Sequence, residues 1–176
     1  MNTKITTDLK LQSEIAYFNN VDLKLESGDI IHNFKIAFKT FGKLNSSKTN
    51  AILVCHALTG DQYVTDNNPI TGREGWWSRM VGPNKPIDTD KFFVICSNVL
   101  GGCAGSTGPK EPQNEKGEIY GGNFPSVTIK DMVKAQSLLI ESLNIEKLFS
   151  VIGGSMGAMQ ALQWSIDFPD RILNII

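Results

Sequence analysis

The chain has 176 residues, 41% of them apolar, with a formal net charge of −1; that length suits one domain burying roughly 70% of the surface its unfolded chain exposes. Charges of both signs are interspersed, which leaves no basic face for nucleic acid and no polybasic tract for a membrane surface. No apolar stretch approaches the ~20 residues that span a bilayer, and Met1 to Gln12 lacks the apolar core of a signal peptide, so the sequence reads as cytoplasmic.

Strand-like apolar runs fall at 35–41, 51–55, 92–97 and 148–152, and residues 172–176 open like a further strand. The later runs are continuously apolar, as in strands buried on both faces of a parallel sheet, while the first strands are expected to add an antiparallel edge. A helix is predicted over 129–143, with Ile129, Met132, Val133, Leu139, Ile140 and Leu143 on one stripe, Thr128 as N-cap and Asp131 in the first turn. A second is predicted over 156–168, ended by Pro169. The alternation is that of an open α/β sheet within a single domain. Two irregular stretches, 59–90 and 101–125, are long enough to be expected at a functional site. Cys55, Cys96 and Cys103 are odd in number and lack Cys-x-x-Cys spacing, so they read as reduced packing residues.

The chemistry concentrates at Gly153-Gly154-Ser155-Met156-Gly157, between the 148–152 strand and the second helix. Gly-x-Ser-x-Gly in that context is the turn that lifts a nucleophilic serine above an α/β-hydrolase sheet; glycines flank it because the strand and helix backbones pass too close for side chains. A serine merely capping a helix after a glycine turn is the competing reading. In this fold one oxyanion-hole amide comes from the residue after the nucleophile and the other from the loop after an earlier strand, which points to Met156 and to Leu58.

A serine needs a base, and in this fold the acid and then the histidine follow it. His32 and His56 both precede Ser155. His56 is expected to shape its loop through hydrogen bonds, and His32 to sit solvated in a surface turn. Trp76 and Trp77, with Arg73, Glu74 and Arg79 nearby, line either a pocket mouth or the edge of the core. The 101–109 segment lacks the Gly-Lys-Ser/Thr ending of a phosphate loop and reads as a rigid loop beside the site.

Together, Cys55-His-Ala-Leu-Thr-Gly-Asp61, Gly75-Trp-Trp77, Gly82-Pro-Asn-Lys-Pro-Ile-Asp-Thr-Asp90, Asn98-Val-Leu-Gly-Gly-Cys-Ala-Gly-Ser-Thr-Gly-Pro109 and Gly153-Gly-Ser-Met-Gly157 resemble the homoserine O-acyltransferases of the α/β-hydrolase superfamily, chiefly the homoserine O-acetyltransferases of methionine biosynthesis. Ala158 stands where that family often has a further glycine. The resemblance runs from about Ile36 to Ile176 and implies ping-pong transfer of acetyl from acetyl-CoA, through Ser155, to the side-chain hydroxyl of L-homoserine. It implies Leu58 and Met156 as the oxyanion-hole residues, no permanently bound cofactor, no metal, and a homodimer for the complete enzyme. It also implies that the chain is the N-terminal part of a single α/β-hydrolase domain, with the lid and the triad Asp and His beyond Ile176. Other chemistries of the same fold, with succinyl-CoA as donor, serine as acceptor or simple hydrolysis, remain open at this point. So does a non-catalytic binding remnant.

Overall fold

The computed structural model describes residues 3–113 and 116–176. Met1 and Asn2, in the segment read for a leader, and Asn114 and Glu115, in the second long loop, lie outside the described residues.

In chain order, the strands β1 (Thr3–Asp8), β2 (Ser13–Lys24), β3 (Ile30–Phe41) and β4 (Ala51–Cys55) come first, followed by the short β5 (Val81–Gly82) and β6 (Ile87–Asp88), and then β7 (Phe93–Ser97). Helix α1 (Ile129–Ser142), strand β8 (Leu148–Gly153), helix α2 (Met156–Asp167) and strand β9 (Ile172–Ile175) complete the order. Seven strands form one sheet in the order β1-β2-β3-β7-β4-β8-β9, and β5 pairs with β6 alone. The sheet has two halves. β1, β2 and β3 run antiparallel to one another, and β3 antiparallel to β7. From β7 through β4 and β8 to β9 every pairing is parallel.

Every residue of β4 is buried, and the clusters they join explain the unbroken apolar run. Ala51, Leu53 and Cys55 belong to the core beneath the helices, with Val133, Leu139 and Trp164. Ile52 and Val54 face a second core, with Val64, Val81 and Val94. Strand side chains alternate between faces, so a strand covered on both sides has no polar alternate positions. The cover on the second face comes from the 59–90 stretch, where Trp77 and Met80 pack against that core. Much of this loop therefore seals the sheet.

Two strands of the seven-stranded sheet escaped the sequence reading, as did the short β5 and β6. β1 is half exposed along its length, so its composition carries little apolar signal. In β2 the pairing with β3 shifts between Phe18 and Asp22, and Asn20 has a φ of 58°. The Asn20 amide donates to the Asn33 side-chain oxygen (2.7 Å), and Asn33 has a φ of 51°. Two asparagines in left-handed conformations make a bulge that reads locally as a turn. Because β3 begins at Ile30, His32 lies in a strand and not in a surface turn; it is exposed, as expected, and pairs with Asp22.

Helix α1 begins as its sequence predicts. Thr128 accepts from the Asp131 amide (3.3 Å), and the Asp131 carboxylate accepts from the Thr128 amide (2.9 Å), a reciprocal capping box. The other Asp131 oxygen accepts from the Glu26 amide (2.9 Å), tying the helix start to the turn between β2 and β3. Among the described residues, no helix is long and apolar enough to cross a membrane.

Candidate active site

Parallel pairing brings the site together. Cys55, the last residue of β4, is registered against Gly153, the last of β8, so the loops that follow both strands leave the sheet at the same carboxyl end. In open α/β sheets that end is where ligands bind. The approach of the two backbones there is extreme. A Cβ on Gly157 would stand 2.1 Å from the Cys55 carbonyl oxygen, and one on Gly153 would stand 2.3 Å from the Gly157 carbonyl. No side chain fits at either point, which is the requirement read from the spacing of the pentapeptide.

Ser155 sits at the N-cap of α2 with φ 58° and ψ −125°, and its side chain makes no capping hydrogen bond. A non-glycine residue held there costs on the order of 1–3 kcal/mol, and the surrounding structure must impose it. Capping does not explain this serine. Its hydroxyl is exposed at the tip of the turn, and Met156 follows as the first helical residue, whose amide has no acceptor within the helix. Across the gap, the Gly60 amide donates to the Ala57 carbonyl (2.9 Å) and closes a tight turn. That turn uses the amide of its last residue and leaves that of its second, Leu58, outside it. Leu58 is 76% exposed. Leu58 and Met156 line one cavity of about 360 Å³, together with Asn98, Gly101, Cys103 and Phe124.

His56 holds this arrangement and is not placed to act as a base on Ser155. It is buried, its Nδ1 meets the Ala57 carbonyl (2.7 Å), and its Nε2 accepts from the Val99 amide (3.2 Å). A carbonyl only accepts and an amide only donates, so the ring is neutral with its proton on Nδ1. Burial pushes its pKa below the usual histidine value, against the opposing pull of the Ala57 carbonyl and the Asp61 charge. Both nitrogens are occupied: Nδ1 ties the ring to its own loop after β4, and Nε2 joins that loop to the one after β7.

The 101–109 segment is the rigid neighbour that its composition suggested. The Gly101 amide donates to the Thr107 carbonyl (2.8 Å) and that of Gly102 to Val99 (2.9 Å). The Ser106 hydroxyl donates to the Asn98 carbonyl (2.7 Å), and Asn98 accepts from the Ala104 amide (3.2 Å). The tryptophans divide the two roles offered for them. Trp77 packs on the second core, while Trp76 lines a smaller cavity of about 240 Å³ with Arg73, Glu74 and Asp61. Cys55 and Cys96 are buried and Cys103 is exposed, all as free thiols. Burial pushes the Cys55 thiol up to about 12, despite its contact with Gln136. Sequence reasoning missed Asn98 and the buried Gln160. Gln160 could have been flagged as an uncharged polar residue on the inward side of α2.

The model of the alpha/beta hydrolase fold family matches residues 50–176. A homoserine O-acetyltransferase of Nitrobacter hamburgensis is 54% identical over 165 residues, which cover 93% of this chain and 41% of that protein. Among solved structures, a homoserine O-acetyltransferase from Bacillus anthracis superposes with a TM-score of 0.84 at 29% identity, over 93% of this chain and 45% of the other. Esterase E22 does so with a TM-score of 0.81 at 36% identity, over 91% and 45%. The chain thus spans less than half the length of the proteins it matches, and the resemblance to homoserine O-acetyltransferases read from its motifs holds across nearly all of it. With a serine elbow between β8 and α2 and a parallel half-sheet beneath it, the chain belongs to the alpha/beta hydrolase fold family.

Proposed function

We propose that the protein is a homoserine O-acetyltransferase that moves an acetyl group from acetyl-CoA to L-homoserine through an acyl-Ser155 intermediate. The observation that carries this reading is the Ser155 hydroxyl, exposed, uncommitted to capping and raised on a strained turn. It stands next to the cavity shared by Leu58 and Met156.

The Ser155 oxygen attacks the thioester carbonyl, the carbon–sulfur bond breaks, and coenzyme A leaves as its thiol. The homoserine hydroxyl then attacks the acyl-serine ester, and the Ser155 oxygen regains a proton. In both steps the carbonyl oxygen becomes anionic, and the Leu58 and Met156 amides donate to it; a donor in that role is worth on the order of 3 kcal/mol. His56 is locked by its two hydrogen bonds and His32 lies on the antiparallel side of the sheet. The resemblance accordingly assigns the triad Asp and His to the part of its relatives' length that this chain does not span. The reading includes methionine biosynthesis as the setting, a cytoplasmic homodimer, and no permanently bound cofactor.

A second reading, ester hydrolysis, is favoured by the 36% identity to esterase E22. The test is to supply the full-length enzyme with acetyl-CoA and L-homoserine, identify the product, and trap the intermediate by mass spectrometry. O-acetylhomoserine together with an acetyl group on Ser155 is the expected result. Free acetate at the same rate with and without homoserine would establish the hydrolase, and preference for succinyl-CoA in direct competition would change the donor.

A further inference from the structure

Gln160 is fully buried one helical turn after the elbow. A buried carboxamide is tolerated only when its donors and acceptor find partners, and the partners of this one lie on both sides of the site. Its Nε2 donates to the carbonyl of His56 (3.3 Å) and to that of Met156 (3.3 Å). Its Oε1 accepts from Gln136 Nε2 (2.7 Å), and Gln136 Oε1 accepts from the Trp164 indole (2.9 Å). The direction of this relay is set from both ends. Two backbone carbonyls can only accept and an indole N–H can only donate, so the Gln160 amide must turn its two protons toward the carbonyls.

Each carbonyl belongs to a peptide adjacent to one that carries a Leu58 or Met156 amide. The two segments also touch where Gly157 meets the Cys55 carbonyl, a contact that limits their approach but does not hold them together. The β4–β8 pairing ends at Cys55 and Gly153, before either donor, and past that point the Gln160 side chain bonds both segments. We propose that Gln160 is a positioning residue for the oxyanion hole: one carboxamide, bonded to both donor-bearing segments, sets the separation of the Leu58 and Met156 amides. The inference rests on the reading of those amides as the oxyanion donors. A misplacement of about 1 Å is enough to weaken such donors, because they act on a charge that exists only in the transition state.

The test uses the full-length enzyme and follows the burst of p-nitrophenol when p-nitrophenyl acetate acylates it, alongside thermal unfolding. Gln160→Met keeps the volume and removes both donors; Gln160→Leu also removes them, providing a second variant if the first does not fold. Either should slow acylation by roughly tenfold to a hundredfold, less than loss of a whole donor, with the KM for the ester within about twofold of wild type. Trp164→Phe removes the indole from the same relay while the carbonyl end still orients Gln160. It should lower the melting temperature with acylation within about twofold. Acylation at the wild-type rate in a folded Gln160 variant, or an equal loss in Trp164→Phe, overturns the proposal. Ser155→Ala checks the underlying reading separately: if the burst survives that change, the nucleophile is wrong whatever the Gln160 variants do.

Discussion

Two helices in this molecule begin with a hydroxyl residue at the N-cap, and the two hydroxyls are used in opposite ways. Thr128 has extended backbone angles, bonds into the first turn of α1 and completes a capping box with Asp131. Ser155 has a positive φ and makes no capping bond to α2. Helix α1 is stabilised at its start, whereas α2 begins under strain and leaves its first amide and its hydroxyl unspent. Both side chains carry a hydroxyl; what separates them is Gly153 and Gly157, two residues to either side of Ser155, and the β4 backbone pressed against Gly157. The fold prevents Ser155 from satisfying its helix, which leaves the hydroxyl available for the role proposed for it.

This contrast can be broken at several points, each measured in the full-length enzyme. The largest effect is expected from Ser155→Ala, which should reduce acyl transfer at least ~10³-fold, as loss of a triad nucleophile does in other serine enzymes. Its unfolding midpoint should stay near that of wild type, because alanine bears the same backbone strain and no capping bond is lost; a drop in stability as large as that for a cap would show that Ser155 caps α2 after all. Next comes Gly157→Ala. Its methyl would meet backbone on the β4 side at 2.1 Å, so α2 must move off the sheet, at a cost of roughly 3 kcal/mol in urea unfolding. Acyl transfer should fall at least ~10-fold with it, since the Met156 amide moves too.

Thr128→Ala makes the opposite separation. Loss of the cap should cost about 1 kcal/mol of stability with kcat unchanged, and a loss of activity would mean that α1 reports to the site. The smallest effect sharpens the comparison from the other side. Ser155→Gly removes strain of ~1–3 kcal/mol and adds unfolded-state entropy of ~0.5–1 kcal/mol, so an inactive enzyme more stable by about 1 kcal/mol, within a range of roughly 0–2.5 kcal/mol, is expected. A destabilised Ser155→Gly would mean that the elbow is not strained.

Legibility followed the range of the forces involved. The capping box and the stripe of α1 were visible because both are written within a few residues. The continuous run of β4 was visible because burial on both faces removes every polar alternate. β1 and β2 were not, since an edge strand keeps polar residues and a bulge at Asn20 imitates a turn. The 59–90 stretch was read as irregular and functional because its apolar residues follow no period; they cover the Ile52 and Val54 face of the sheet from a path that local pattern does not describe.

The sequence by itself determined the fold class, the serine turn and the two residues nominated beside it, because glycines at a close backbone approach and a hydroxyl between strand and helix are local demands of chain geometry. Only the tertiary structure decided that the Ser155 hydroxyl is left out of capping, that His56 is locked neutral between two loops, and that Gln160 spans the segments carrying Leu58 and Met156. Those outcomes depend on the parallel pairing of β4 with β8, which joins residues about a hundred positions apart, and no local signal encodes the hydrogen-bond partners that such a pairing brings into reach.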